Sequence, residues 1–167
     1  IQLLSTKTDL LILTGGLGPT ADDRTRQALG VALGEALVSD AASMQSIRDW
    51  FEQRNIQMPT PNEVQALRPE STDWLKNEHG TAPGLKATLN GCQIFCLPGP
   101  PTEMKPMFQS QIDDIKSSLQ CGKQIKTIEL HSWGLAESVA GEAIKSLLDK
   151  GAPAVSVLMS STGIIAR

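Results

Sequence analysis

Residues 9–23 read Asp-Leu-Leu-Ile-Leu-Thr-Gly-Gly-Leu-Gly-Pro-Thr-Ala-Asp-Asp, and no other stretch constrains the fold of this chain as strongly. The apolar run over residues 10–13 is unbroken, the pattern of a parallel strand covered on both faces. It ends in Gly15, Gly16 and Gly18, which lack a Cβ, so the backbone can take positive φ and approach a ligand closely. Thr20 is placed to cap a helix with Asp22 and Asp23 in its first turn, and a helix N-terminus with free N–H groups receives anions. The unit is strand–loop–helix, and in an open α/β sheet such a loop lies where ligands bind. The spacing matches neither G-x-G-x-x-G nor G-x-x-x-x-G-K-S/T, and no Lys lies in the loop. A standard dinucleotide fingerprint or P-loop is therefore not supported. A tight βα turn without a ligand explains the glycines equally well.

The rest of the chain supplies partners for that strand. Residues 1–7 read as the end of a helix. A helix is expected over residues 21–33, with Ala28, Leu29, Ala32 and Leu33 as its apolar stripe. Ser39 or Asp40 caps a second helix through about residue 54, which buries Met44, Ile47, Trp50 and Phe51. Met58-Pro59 precedes a short helix over residues 63–67, and Trp74 and Leu75 make a short strand. Residues 85–89 and 92–97 flank Asn90-Gly91, the favoured pair of a type I′ hairpin. A helix then runs from Pro101 or Thr102 to Leu119, with Met104, Met107, Phe108, Ile112 and Ile115 inward.

After residue 120 the pattern changes to a strand over 123–130, a helix within 134–150 and strands over 154–159 and from Ile164. Val139, Ala140, Ile144, Leu147 and Leu148 form the inward face of that helix. The expected organisation is an α/β domain with a mostly parallel sheet over residues 1–120 and a small α+β module over 121–167.

Composition narrows the class. Apolar residues make up 40% and charged residues 20% of the chain, the balance of a globular protein. A net charge of −3 gives no reason to expect nucleic-acid binding. The three cysteines, Cys92, Cys96 and Cys121, lack metal-ligand spacing and read as reduced thiols. No apolar run approaches the ~18 residues of a membrane span, so the expected setting is the cytoplasm.

Three polar loops follow strands: residues 14–23, 77–84 and 98–103. Gathered at one sheet edge, they would bring backbone N–H groups, the Thr20 and Thr81 hydroxyls, the Asn77 amide and the carboxylates of Asp22, Asp23 and Glu103 to one cleft. Such a set suits a phosphorylated ligand and a hard divalent cation bridging its oxygens. Each piece also has a plainer explanation. Asp22, Asp23 and Glu103 complement a helix dipole without any ligand, Thr81 can close a local turn, and His79 has no visible partner. The inner face of residues 104–119 packs a core or pairs two copies of the chain, and a homodimer is expected.

These loops carry a resemblance. Thr14-Gly15-Gly16-Leu17-Gly18-Pro19-Thr20 with Asp22-Asp23 and Thr25 resembles the bacterial competence/damage-inducible CinA family. So do Met58-Pro59, Asn62 with Gln65-Ala66, Asn77 with residues 80–84, and Leu97-Pro98-Gly99-Pro100-Pro101 with Glu103-Met104. Gly134 and Glu137 fit the helix start of the family's small following domain. The resemblance implies a three-layer α/β domain of the MoaB/MogA, molybdopterin-binding type. It implies hydrolysis of the ADP-ribose pyrophosphate bond with a divalent metal ion and potassium.

In that reading Asp22, Asp23 and Glu103 are catalytic and ligate the metal. Gly15, Gly16, Gly18 and Thr20 seat the pyrophosphate, Asn77, Thr81 and Gly84 contact the nucleoside or ribose, and Gly99 is a further substrate-binding residue. Pterin binding with adenylyl transfer, or a non-catalytic nucleotide-binding or oligomerising module, are the alternatives. Against the family pattern, the opening strand that would precede Ile1 and the deamidase domain that would follow Arg167 lie outside this sequence, so no deamidase activity is assigned.

Overall fold

The computed structural model describes residues 1–119, 126–150, 154–160 and 163–166. The apolar run becomes β1 (Leu10–Thr14), preceded by the short helix α1 (Gln2–Ser5). α2 (Thr25–Leu33), β2 (Leu37–Ser39) and α3 (Ala41–Glu52) follow. A 3₁₀ helix, Thr60–Ala66, then leads into β3 (Leu67–Pro69) and β4 (Asp73–Leu75). β5 (Gly84–Leu89), β6 (Cys92–Leu97), α4 (Pro101–Ser110) and α5 (Ile112–Ser118) complete the first of two units, Ile1–Gln120.

The main sheet has the order β1-β6-β5-β4. β1 runs parallel to β6, from Leu10 opposite Gln93 to Thr14 opposite Leu97. The other two ladders are antiparallel. The α/β class is the one expected, while among the described residues parallel pairing is confined to β1 and β6. The reason is local: Asn90 and Gly91 take φ of 54° and 81°, as a type I′ turn requires, and fold β5 back on β6. β2 and β3 form a separate two-stranded antiparallel ribbon.

β6 is buried on both faces, and its alternation sets up three layers. Cys92, Ile94 and Cys96 point into a cluster with Leu17, Leu29, Leu85 and Ala87. Phe95 and Leu97 point the other way, against Leu75, Met107 and Ile115. One cluster draws on α2 and the other on α4 and α5, so helices cover both faces of the sheet. Burial of the Cys96 thiol pushes its pKa up to about 12, partly opposed by Arg26, which leaves it an inert packing group.

Four expectations change. α2 begins at Thr25, not residue 21, because Thr20 and Asp23 bond to each other across a turn. Its buried face is Arg26, Leu29, Gly30 and Ala32, and Ala28 is exposed. The helix expected through Leu119 divides at Gln111. Pro106 lacks an N–H for the helical ladder, and Ser110 Oγ donates back to the Met107 carbonyl at 2.7 Å. β1 is not covered on both faces: among the described residues it pairs only with β6, and Ile12 is 38% exposed.

The second unit, Cys121–Arg167, holds β7 (Leu130–Ser132), α6 (Glu137–Ala143), α7 (Lys145–Lys150), β8 (Val157–Ser160) and β9 (Gly163–Ala166). Its sheet has the order β7-β9-β8, with both ladders antiparallel. The single expected helix is two, divided at Ile144. Val139, Leu147 and Leu148 are exposed rather than inward, since helices of seven and six residues offer little surface to bury. Cys121 and residues 123–125 of the expected strand lie outside the described residues. Among the described residues no helix is long and apolar enough to cross a membrane.

Asp40 caps α3 as expected: its carboxylate accepts from the Ser43 N–H at 2.7 Å and from Arg68 Nε at 2.9 Å. Arg68 also donates to the carbonyls of Pro69, Glu70 and Thr72, so one ion pair joins α3 to the β2–β3 ribbon. Burial alone would raise the Asp40 pKa, but the Ser43 N–H and Arg68 outweigh it and hold the carboxyl below its ordinary value. The folded pKa lies below the unfolded one, so its contribution is full above the unfolded value, about 4, and fades as pH falls through the folded value. Asp40→Ala is expected to lower stability in urea by about 2 kcal/mol at pH 7. The wild-type advantage should shrink in acid below about pH 4.

Candidate functional site

The loop after β1 is held by its carbonyls. Gly15 and Gly16 take φ of 88° and 70°, two successive left-handed residues that glycine accepts without strain. The Gly15 N–H donates to the Leu97 carbonyl at 2.9 Å, which continues the β1–β6 ladder into the loop. Thr25, the first residue of α2, then donates twice: its hydroxyl to Gly15 O at 2.7 Å and its N–H to Gly16 O at 3.0 Å. In a trans peptide the N–H points opposite the carbonyl, so the N–H groups of Gly16 and Leu17 are turned away from the start of α2. Among the described residues neither has a hydrogen-bond acceptor. Successive backbone N–H groups in a turn can form an anion-binding concavity.

The carbonyls of Leu17 and Gly18 are held as well, and by a residue that sequence reading missed. Arg26 is 1% exposed and donates to both. Gln65 Nε2 also reaches Leu17 O, at 3.5 Å, and Asn62 Nδ2 donates to Gln65 Oε1 at 2.9 Å. Thr25, Asn62 and Gln65 all stand within the motifs quoted for the family, which was the only available signal for them. Arg26 had none, because a charged residue early in an amphipathic helix reads as solvated.

Thr20, Asp22 and Asp23 form a tight group at the far end of the loop. The Thr20 hydroxyl oxygen lies 2.6 Å from both Asp22 Oδ1 and Asp23 Oδ2, and the Thr20 N–H donates to Asp23 Oδ2 at 2.9 Å. The Thr20 hydroxyl lowers the pKa of Asp23 against the raising effect of burial, helped by the Thr20 and Gly18 N–H groups and by the charge of Arg26. A Cβ at Gly18 would collide with the Asp23 carboxylate, so that glycine admits the carboxylate to the loop.

The other two loops meet the first at the same sheet edge. Gly99, after β6, abuts Gly15: a Cβ on Gly99 would lie 3.4 Å from the Gly15 Cα. The buried Asn77 donates to Ala82 O at 2.9 Å and to Glu103 Oε2 at 2.6 Å, and its Oδ1 accepts from the His79 N–H at 3.0 Å. The Glu103 carboxylate fills the space where Gly80 lacks a Cβ. A cleft of about 340 Å³ opens beside this pair, lined by Trp74, Asn77, His79, Glu103 and Met107 among others, and by none of residues 14–23.

The three loops are therefore contiguous, but the residues sort into two groups. Asp22 and Asp23 belong with Thr20, and Glu103 belongs with Asn77 and Gly80. Among the described residues no three His, Cys, Asp or Glu side chains are grouped to hold a metal ion, and Glu103 is not grouped with the two aspartates. Gly84 is buried at the start of β5, where a Cβ would press on Met107 Sδ, the Cys96 carbonyl and Leu75. Thr81 is half-buried and His79 exposed.

The fold and site define a three-layer α/β domain with a backbone-donor loop at the carboxyl edge of a parallel strand pair. Residues 1–117 match the family described as "Probable molybdopterin binding domain". Competence-damage inducible proteins of Bacillus cereus (strain AH187) and Bacillus mycoides (strain KBAB4) are 36% and 37% identical over 149 residues. Those alignments cover 89% of this chain and 36% of each relative, so the chain spans about a third of their length. The crystal structure of CinA, of unknown function, from Thermoplasma acidophilum is similar at TM-score 0.62 and 30% identity, over 68% of this chain and 66% of that one. The chain belongs to the molybdopterin-binding-type domain family, as a CinA protein.

The loop geometry makes a direct prediction. Gly34 and Gly16 share similar positive φ, but a Cβ at Gly34 meets nothing within 4 Å whereas one at Gly16 collides with Thr25. Gly34→Ala should cost about 1 kcal/mol from backbone strain alone, and Gly16→Ala about 2–4 kcal/mol by urea unfolding.

Proposed function

We propose that the glycine loop seats the diphosphate of ADP-ribose and that the domain hydrolyses its phosphoanhydride. The observation that carries this reading is the pair of N–H groups at Gly16 and Leu17 that have no acceptor among the described residues, left by carbonyls held on Thr25. Phosphate oxygens are the acceptors such a loop lacks.

The donor set at the end of the loop fits a hard divalent cation. Thr20 has one hydroxyl proton but two carboxylate oxygens at 2.6 Å, so at any instant one carboxylate faces an oxygen lone pair. A cation held by Asp22 and Asp23 would relieve that opposition. Magnesium-like ions commonly take one or two carboxylates and complete their shell from substrate phosphates and water. Bound there, the ion would supply charge neutralisation at the phosphate oxygens and a more acidic water.

The chain's own residues supply the rest. Gly16 and Leu17 N–H groups orient the diphosphate, and Asp23, kept ionised by Thr20, stays an acceptor at neutral pH. Asn77 and Glu103, fixed on each other, line the neighbouring cleft that takes the ribose or nucleoside side. Water adds to one phosphorus, the P–O–P bridge breaks, and AMP and ribose 5-phosphate leave. Potassium is included in this reading as a required monovalent ion.

A second reading rests on the family's description: the same loop binds a molybdopterin phosphate and supports adenylyl transfer. Incubation with ADP-ribose, magnesium or manganese, and potassium, with AMP measured by chromatography, separates the two. The hydrolase reading expects metal-dependent AMP release, reduced at least about 100-fold in the Asp22→Asn/Asp23→Asn variant. Undiminished release in that variant would overturn it, and pterin retention without AMP release would favour the second reading.

A further inference from the structure

Arg26 heads the fully buried side chains of the described residues by volume, and it lies beneath the glycine loop. Burial draws its pKa down to about 10 against the opposing pull of Asp23, so the guanidinium remains a cation at neutral pH. Among the described residues its Nε has no hydrogen-bond partner. A methionine of similar length would fill this space with no charge to desolvate, and desolvating a cation is unfavourable unless its partners compensate. The compensation here comes from loop carbonyls. One Nη donates to Leu17 O and the other to Gly18 O at 3.4 Å.

Thr25 controls the first half of the loop, through Gly15 O and Gly16 O. The second half depends on Arg26. The peptide between Leu17 and Gly18 has its carbonyl on Arg26 and Gln65 and its N–H beside the Asp23 carboxylate. Reversing that peptide would break both sets of contacts at once. Asp23 in turn holds the Thr20 N–H and hydroxyl.

We propose that Arg26, assisted by Gln65, is the positioning residue of the glycine loop: it fixes the Leu17–Gly18 peptide, thereby aims the Asp23 carboxylate, and places a permanent positive charge beneath a bound diphosphate. The first two parts concern the loop itself, and the third rests on the phosphate reading given above. Arg26 touches no reacting atom in this account, and Gln65 acts through the Leu17 carbonyl it shares with Arg26.

The test uses Arg26→Met, Arg26→Lys and Gln65→Met with two readouts. The first is amide hydrogen exchange at Gly18 and Thr20, normalised to Phe95 in β6, which reports global opening. In folded Arg26→Met the two loop amides are expected to exchange at least about tenfold faster relative to Phe95. Exchange within about twofold of wild type would overturn the proposal.

The second readout is inorganic pyrophosphate affinity by calorimetry. Arg26→Met is expected to weaken it at least about tenfold and to flatten its salt dependence, while Arg26→Lys retains the salt dependence but loses affinity through the missing fork. If Arg26→Met fails to fold, Arg26→Lys and Gln65→Met decide by the same exchange ratio, with about threefold acceleration expected and none overturning the proposal. If wild-type protein binds no pyrophosphate, the phosphate reading and the charge role fail together, and the exchange result still decides whether Arg26 positions the loop.

Discussion

Thr25 donates twice into one loop, and the site depends on that pair of bonds. Its hydroxyl holds Gly15 O and its N–H holds Gly16 O, so the first residue of α2 is also the clamp on the loop that precedes it. The arrangement requires glycine at residue 16, where a Cβ would strike the Thr25 side chain, and positive φ at both residues 15 and 16. Because trans peptides oppose N–H and carbonyl, clamping two carbonyls sets the direction of two N–H groups. Under the proposed function these two N–H groups are the donors to the anion, without a lysine in the loop.

The layered fold keeps that clamp in register. β1 and β6 are parallel, so the loops that leave them start at the same sheet edge, and the Gly15 N–H to Leu97 O bond carries the ladder beyond the strands. β5 runs antiparallel, so the loop entering it arrives at that edge too. Asn77 then fastens this third loop to the first turn of α4 through Glu103. Burial of β6 on both faces makes the edge rigid, because Ile94 and Phe95 are fully buried on opposite sides of the same strand. Lys86 and Asp114, 2.6 Å apart, add a link between β5 and α5 that is partly exposed and contributes little by itself.

Much of this was legible in the sequence because it rests on local chemistry. Asn90-Gly91 specified a hairpin, Asp40 a cap, and the spacing of Ile47 and Phe51 a buried helix face. The glycines of residues 15–18 announced a close backbone approach. What failed was decided between side chains. Thr20, Asp22 and Asp23 look like the start of α2, but their carboxylates bind Thr20 and hold the chain in a turn until Thr25. Glu103 carried the same first-turn signature as the two aspartates, and only the tertiary structure shows it paired with Asn77 in the space beside Gly80. Arg26 was invisible for a related reason: nothing local marks a guanidinium that will face carbonyls inside the protein. In the second unit, helical spacing marked an apolar face on short helices that bury almost nothing.

Under the proposed function the N–H groups of Gly16 and Leu17 meet phosphate oxygens. Amide chemical shifts of ¹⁵N-labelled protein during titration with ADP-ribose and magnesium test it most directly. Saturable downfield shifts are expected at Gly16 and Leu17, with little change at Gly34 and Gly91, which also have positive φ but lie in a helix cap and a hairpin turn. Saturable binding that moves amides elsewhere and leaves Gly16 and Leu17 in place would contradict it.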